Sequence, residues 1–307
     1  MQAIHVAVGV VTDNQGRILI AKRAAGAHQG GLWEFPGGKV ERKETVQQAL
    51  ERELLEELGV TTGNFTPLIQ IAHDYGDKAV LLDVYRARIQ KGEAHGREGQ
   101  PLKWVTPDEL NSYTFPAANR PIVSAITLPE RLLITGAFTH HSDFLQKLSA
   151  ALSQGITLVQ LRAPELKSAE FMLLAAEVQR ECERRGVRLL LNTDPDINKA
   201  VHLHLNSARL MQTHSRPLAP GYLLGASCHN AEQILHANTL AVDYICLSPV
   251  KATNSHPQIT PLGWDNFAEF TRLAAAPVYA LGGMKEHDIA TAINHGGQGI
   301  ASISAWW

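Results

Sequence analysis

Apolar positions in the first 128 residues fall mostly into runs of strand length, with residues 4–12, 17–22 and 80–89 the clearest. One longer stretch, residues 43–58, reads as a helix that opens near Glu44 and stops at Gly59, a residue suited to the left-handed position just past a helix end. A second helix is predicted over residues 117–128, closed by Pro129. Strands with few helices, out of strict alternation, predict an α+β layer fold. From Arg131 the rhythm changes. Strand-like runs at 132–137, 157–162, 188–192, 201–205, 223–227, 244–250, 278–282 and 299–304 alternate with helical stretches such as 144–153 and 169–185. Eight such strands in order predict an α/β barrel of the (β/α)8 type. The chain stops at Trp306-Trp307, which leaves no room for a last barrel helix, and both indoles are expected to be at least partly covered. The expected domains are residues 1–129 and 130–307.

Composition narrows the function classes. With 45% apolar and 19% charged residues in 307, the chain has enough core for two globular domains and is not a disordered protein. The formal net charge is -2, and its 28 basic and 30 acidic residues divide evenly about Pro129, which excludes an electrostatic binder of nucleic-acid polymers. No apolar run is long enough to cross a membrane, and the start of the chain lacks the basic and apolar regions of a signal peptide. The three cysteines, Cys182, Cys228 and Cys246, have no metal spacing and read as buried thiols of a reducing cytoplasm.

The helix at 43–58 carries the chemistry. Glu53, Glu56 and Glu57 stand at i, i+3 and i+4, so three carboxylates crowd one face and repel one another. A hard divalent cation relieves that repulsion, and oxygen donors select Mg2+ or Mn2+. Arg52 can orient one carboxylate, and Gly37-Gly38 permit a tight turn that aims a backbone carbonyl, that of Gly37, at the same metal. Such a site neutralises a diphosphate and prepares a water for attack on phosphorus, with one carboxylate as general base: Glu53 first, Glu98 as the competitor.

These residues match a known pattern. Gly38, Glu44, Arg52-Glu53-Leu54, Glu56-Glu57 and Gly59-Val60, at their fixed gaps, fill every position of the Nudix box. Beyond the box, residues 3–128 resemble the MutT-type Nudix hydrolases, which remove oxidised guanine nucleotides. The shared segments include Lys22-Arg23-Ala24-Ala25, Trp33-Glu34-Phe35-Pro36-Gly37-Gly38-Lys39, Gly96-Arg97-Glu98-Gly99-Gln100-Pro101 and Phe115-Pro116-Ala117-Ala118-Asn119-Arg120-Pro121. The resemblance implies that Glu98 is a metal ligand, that Arg23, His28 and Lys39 hold the substrate, that Phe35 lies at the nucleobase pocket and that Asn119 reads the purine. An amide suits that task, because it both donates and accepts and so matches the O6 and N1–H edge of an oxopurine. One departure concerns Val80-Leu81-Leu82-Asp83-Val84-Tyr85, which lacks the aromatic richness of the family, so part of the base pocket is expected to differ.

The barrel half, over about residues 131–305, resembles the thiamin-phosphate synthase and thiazole tautomerase superfamily. The resemblance is carried by Val159-Gln160-Leu161-Arg162, Leu191-Asn192, Gly225-Ala226-Ser227-Cys228-His229, Ser248-Pro249 and Ala280-Leu281-Gly282-Gly283-Met284. It implies a ligand site for a phosphorylated thiazole or thiamin-like molecule at Gln160, Arg162, Asn192 and Ser227, with phosphate held near Gly283, Ile303 and Ser304, and His229 as an acid–base group. Several family features are missing. Thr193 and Ser207 replace the two acids that hold Mg2+ there, and His256 replaces a diphosphate-gripping lysine. Loss of metal and lysine together removes the stabilisers of a diphosphate leaving group, so synthase activity is not expected. His202 and His204 share a strand face without a third ligand, which favours hydrogen-bonded structural roles over a metal site. Three functions follow for the whole chain: an oxidised-dGTP hydrolase carrying a degenerate barrel, a thiamin-salvage enzyme, or a hydrolase regulated by a ligand-sensing barrel.

Overall fold

The computed structural model describes residues 3–26, 28–194, 201–219, 221–253 and 258–307, which form two compact units dividing between Thr127 and Leu128. The first contains β1 (Ile4–Thr12), β2 (Ile18–Lys22), β3 (Trp33–Glu34), β4 (Gly37–Lys39), α1 (Val46–Leu58), β5 (Thr61–Asp74), β6 (Ala79–Lys91), β7 (Leu102–Val105) and α2 (Arg120–Thr127). Its mixed sheet runs β3-β2-β1-β6-β5, with β4 added beside β1 and β7 beside β2; β1 and β6 are parallel and the other pairs antiparallel.

Helix α1 begins at Val46, three residues later than the sequence pattern suggests, because Thr45 caps it. The Thr45 hydroxyl accepts from the Gln48 N–H (3.3 Å) and the Gln48 side chain accepts from the Thr45 N–H (2.9 Å), a reciprocal capping box. Gly59, at φ 72°, ends the helix in the left-handed conformation that glycine adopts without penalty. Ala49, Leu50, Leu54 and Leu58 are buried with Ala7, Val11 and Leu19 of the sheet. At Gly9 a Cβ would lie only 3.2 Å from Leu50, so the missing side chain on β1 lets the helix settle close to the strand. That packing turns Arg52, Glu53 and Glu57 away from the apolar contact and towards β4, and leaves Glu56 exposed beside Arg52.

The second unit opens with β8 (Arg131–Ile134), α3 (His141–Leu152), β9 (Leu158–Leu161), α4 (Ser168–Arg184), β10 (Arg188–Leu191), β11 (His202–Leu205) and α5 (Ser207–Gln212). It continues through β12 (Leu224–Cys228), α6 (Ala231–Thr239), β13 (Tyr244–Leu247), α7 (Gly263–Thr271), β14 (Val278–Ala280), α8 (Ile289–Asn294) and β15 (Gly299–Ser302). All eight strands are parallel and close into a barrel in chain order, as the alternating pattern predicts. Leu132, Leu158, Leu190, Tyr244, Cys246, Tyr279 and Ala301 form one buried cluster, and their alternate neighbours such as Leu133, Val159 and Leu189 pack with the helices. Leu128 belongs with the barrel: it joins the first of these clusters, and its carbonyl accepts from the Gln298 side chain at 2.7 Å.

No helix is described after β15. Residues 303–307 turn back instead, with the Trp307 N–H bonded to the Ile303 carbonyl (3.0 Å). Trp306 is buried, and the Trp307 indole packs edge-on against Phe144 and donates to the Ala137 carbonyl at 2.9 Å. Both indoles are thus covered, as expected from their apolar area. All three cysteines are buried thiols, and no described helix is long and apolar enough to cross a membrane.

Candidate active site and barrel cavity

The glycine pair beside α1 is dictated by its surroundings. Gly37 has φ 144°, and a Cβ there would lie 2.2 Å from the Ala7 carbonyl oxygen; a Cβ on Gly38 would lie 2.1 Å from the Glu53 carboxyl carbon. Only bare backbone lets β4 pass this close to the acidic face of α1. The Gly37 N–H donates to Glu57 at 3.3 Å. Arg52 grips Glu44 bidentately (Nε to Oε1 2.8 Å, Nη2 to Oε2 3.0 Å) and reaches Glu53 at 2.9 Å, Glu56 at 3.3 Å and the Lys39 carbonyl at 3.1 Å. The Arg52 hydrogen bond, with that of the Glu41 N–H, holds the Glu44 carboxyl down to about 2.

A loop brings in the fourth acid. The carbonyls at the end of α1 lack helical partners, and residues 95–100 supply them: the His95 N–H donates to Leu58 (3.1 Å), the Arg97 N–H to Glu57 (2.9 Å) and the Gln100 amide to Glu57 (3.2 Å). Glu98, in the middle of this loop, is exposed but close enough for its charge to act on Glu57. Burial pushes the Glu57 carboxyl up to about 7, opposed by the Gly37 N–H and reinforced by the charges of Glu53, Glu34 and Glu98. As they stand, no three carboxylate, imidazole or thiol groups converge tightly enough to enclose a cation among the described residues. Glu53 and Glu56 face the Arg52 guanidinium instead, which serves as their counter-ion. The donor set still fits a hard divalent ion: oxygen ligands only, in mutual repulsion, beside backbone without side chains.

This environment has a pH signature. The folded chain holds the Glu57 proton more tightly than an unfolded glutamate of pKa 4.5 does. Its contribution to stability is therefore complete below the unfolded value and is lost as pH rises through about 7. Metal-free protein is expected to become less stable over that window, and Mg2+ to restore the loss. Urea titrations at about pH 5 and about pH 8, with EDTA or with Mg2+, check both. A flat profile in EDTA would contradict the assignment.

Away from the acidic face, the register Ala21↔Glu34 sets Glu34 beside Arg23. The Arg23 guanidinium pairs with the Glu34 carboxylate, and its Nε donates to the His28 carbonyl at 2.9 Å. The His28 ring is exposed, 3.6 Å from Asp77 and edge-on to Tyr75. Tyr75 is hydrogen-bonded to the Ala118 backbone and lies within range of the Arg23 and Glu34 charges. Trp33 donates its N–H to the Thr114 carbonyl (2.9 Å), which draws the Phe115 segment alongside β3, and Phe35 stacks on Phe115 with ring centres 5.4 Å apart. Phe35 is itself buried, so it forms the wall behind this region rather than an open face. Asn119 sits half-buried in a short 3-10 turn entered through Pro116, so it is not the cap that its position near a helix start would otherwise suggest. Lys39 is exposed at the end of β4.

Arg23, Glu34, Tyr75 and the Ala118-Asn119 turn thus lead away from the acid cluster in one continuous series. Glu34 and Tyr75 carry no role in the sequence reading. Glu34 is a charge on a short, half-buried strand, and only the strand register shows that it joins Arg23 to the acids.

In the second unit a cavity of about 320 Å3 opens at the ends of the barrel strands, lined by Ile134, Gln160, Arg162, Asn192, Asn206, Ser207, Ser227, His229, Ser248, Pro249, Thr253, Leu281, Gly282 and Ile303. It gathers Gln160, Arg162, Asn192, Ser227, His229 and Ile303 from the sequence-predicted set. Gly283 and Ser304 are not in the lining. Gly283 packs so tightly that a Cβ would lie 2.4 Å from the Ala252 carbonyl, and Ser304 is exposed. Gln160 Oε1 is buried with no hydrogen-bond partner among the described residues, a polar atom left for a ligand to satisfy. The His229 Nδ1 lies 2.7 Å from the Ser248 carbonyl, which only accepts, so Nδ1 carries the proton and Nε2 is the basic nitrogen. Among the described residues no carboxylate is in the lining, with Thr193 and Ser207 standing where the family pattern has acids, so the described lining does not fit a Mg2+ site. The substituted loop positions, Asn254-Ser255-His256, lie outside the described residues. His202 accepts from the Leu223 N–H at 2.8 Å, and His204 bonds Tyr244 and Ser227.

Comparison with known proteins agrees with this division. A family model described as NUDIX domain matches residues 7–125, and one described as thiamine monophosphate synthase matches residues 132–306. An 8-oxo-dGTP diphosphatase of Escherichia coli is 37% identical over 126 residues, which is 41% of this chain and 98% of that protein. A CTP pyrophosphohydrolase of Escherichia coli is 37% identical over 127 residues, 41% of this chain and 92% of that protein. A putative thiamine-phosphate synthase 2 of Aquifex aeolicus is 34% identical over 180 residues, 58% of this chain and 97% of that protein. Through its first unit the chain belongs to the Nudix family, and through its second to the thiamine monophosphate synthase family.

Proposed function

We propose that residues 1–129 form a Mg2+- or Mn2+-dependent pyrophosphohydrolase that converts oxidised dGTP to the monophosphate and pyrophosphate in the cytoplasm. Residues 130–307 form a barrel that binds a phosphorylated thiazole or thiamin-like molecule without joining thiamin phosphate. The observation that carries the first part is the half-buried Glu57 carboxyl, within range of the charges of Glu53, Glu34 and Glu98 and beside the Gly37-Gly38 strand.

Glu53, Glu56, Glu57, Glu98 and the Gly37 carbonyl would hold a divalent cation, which when bound would neutralise charge on the diphosphate and lower the pKa of a water. Glu53, pressed against Gly38 and oriented by Arg52, accepts the proton of the water that attacks phosphorus. One phosphorus–oxygen bond of the α–β bridge breaks, the oxygen of the water stays on the phosphorus that it attacks, and the products are the nucleoside monophosphate and pyrophosphate. Arg23, paired with Glu34, and the neighbouring His28 hold the phosphate and sugar portion. Asn119 pairs with the O6 and N1–H edge of the base, while the Phe35–Phe115 stack backs the pocket.

The curated relatives include both an oxidised-purine and a pyrimidine nucleotide hydrolase, so substrate choice is the point to test. With purified full-length protein and Mg2+, oxidised dGTP is expected to show the highest kcat/KM of a panel containing dGTP, CTP and thiamin diphosphate, and to lose turnover in EDTA. Preference for CTP or for thiamin diphosphate would overturn this reading.

A further inference from the structure

A chain of hydrogen bonds runs from the barrel cavity into the barrel core. Ser227, in the cavity wall, lies 2.8 Å from the Nε2 of His204, and the Nδ1 of the same ring lies 2.9 Å from the Tyr244 hydroxyl. His204 and Tyr244 are fully buried. Gly225 makes the arrangement possible: a Cβ there would lie 2.4 Å from the Tyr244 hydroxyl oxygen. Burial drives the imidazole down to about 3, so the ring is neutral and carries one proton.

Which nitrogen carries it follows from satisfaction of the buried groups. The Tyr244 hydroxyl is hydrogen-bonded to His204, and a buried O–H without an acceptor costs more than a phenol lone pair left empty. Tyr244 therefore donates to Nδ1, the ring proton sits on Nε2, and Nε2–H donates to Ser227 Oγ. The Ser227 proton is then free to point outward. The opposite polarity leaves the Tyr244 proton stranded in the core.

We propose that His204 and Tyr244 are positioning residues that fix Ser227 as a hydrogen-bond donor to the cavity. The cavity lining then includes a fixed donor at Ser227 and two acceptors, Gln160 Oε1 and the His229 Nε2. A ligand that presents an acceptor to Ser227 and N–H or O–H donors to the other two fits this array; one with the reverse pattern does not. The relay stands on the geometry alone, whereas the identity of the ligand rests on the barrel reading given above.

Two measurements on the full chain separate these points. In histidine-15N NMR, the His204 signal, identified by its loss in His204→Gln, is expected as the neutral Nε2–H tautomer, and Tyr244→Phe, which removes the hydrogen bond to Nδ1, is expected to move the Nδ1 resonance while the proton stays on Nε2. A Nδ1–H tautomer or an imidazolium in the unsubstituted chain overturns the relay. Calorimetric binding of thiamin monophosphate is expected to weaken about tenfold in Tyr244→Phe and in Ser227→Ala, and no further in the double variant, because one acts through the other. Additive losses would mark Tyr244 as merely structural and refute the positioning role. The expected tautomer together with no thiamin monophosphate binding in the unsubstituted chain refutes the ligand assignment and supports the relay.

Discussion

Glu53→Gln is expected to lower kcat for oxidised dGTP by roughly 10^2- to 10^4-fold at saturating Mg2+, the usual worth of a positioned general base. The replacement is nearly isosteric, which matters because the Glu53 carboxyl fills the space above Gly38. Arg52 keeps its bidentate partner Glu44, so α1 and its attachment to β4 are retained. Glu98→Gln is the informative companion. Its side chain is exposed on a loop anchored to the end of α1 by backbone and amide hydrogen bonds that do not involve its carboxylate. If Glu53 is the base, Glu98→Gln weakens metal affinity and leaves kcat much less affected. A larger kcat loss for Glu98→Gln than for Glu53→Gln, measured by initial rates across Mg2+ concentrations, would exchange the two roles.

Asn119→Ala is expected to erode the preference for oxidised dGTP over CTP by roughly 10- to 100-fold, the equivalent of about 1–3 kcal/mol for one bidentate pairing with a base edge. The loss arises because the O6 and N1–H groups of the bound purine are left unpaired in a partly dehydrated pocket. The Asn119 backbone is fixed by its own N–H donating to the Pro116 carbonyl at 2.9 Å, so removal of the amide leaves the turn in place. The ratio of kcat/KM values for the two nucleotides is the quantity to measure. An unchanged ratio with equal losses on both substrates would assign Asn119 to general binding rather than base reading.

The acidic face was legible in the sequence because helical spacing alone places Glu53, Glu56 and Glu57 together. The neighbouring contacts were not. Glu34 reaches the site through strand register, and Tyr75 arrives just past the end of β5, whose Gly63, Asn64 and Pro67 break the apolar alternation and coincide with register shifts against β6. Roles for Arg23, His28 and Asn119 came from family resemblance, since nothing local to them signals a shared pocket.

In the barrel the pattern of eight strands was plain, but several runs extend past the ladders. Thr135 shows why: its hydroxyl takes over from the strand, accepting from the Arg162 N–H at 2.8 Å and donating to the Arg162 carbonyl at 3.0 Å. The side chains just beyond the strands line the cavity, so apolar sequence continues where the sheet stops. His204 read as structural from sequence, and its burial agrees; its link to Ser227 required the fold.

Direct measurement of cation binding at α1 bears on everything proposed for the first unit. Mn2+ titrated into the full chain and followed by the loss of its free-ion paramagnetic resonance signal is expected to bind, with Mg2+ competing. The combined variant Glu53→Gln, Glu56→Gln and Glu57→Gln should remain folded yet leave the signal of the free ion undiminished. Undiminished Mn2+ uptake by that variant would contradict the account.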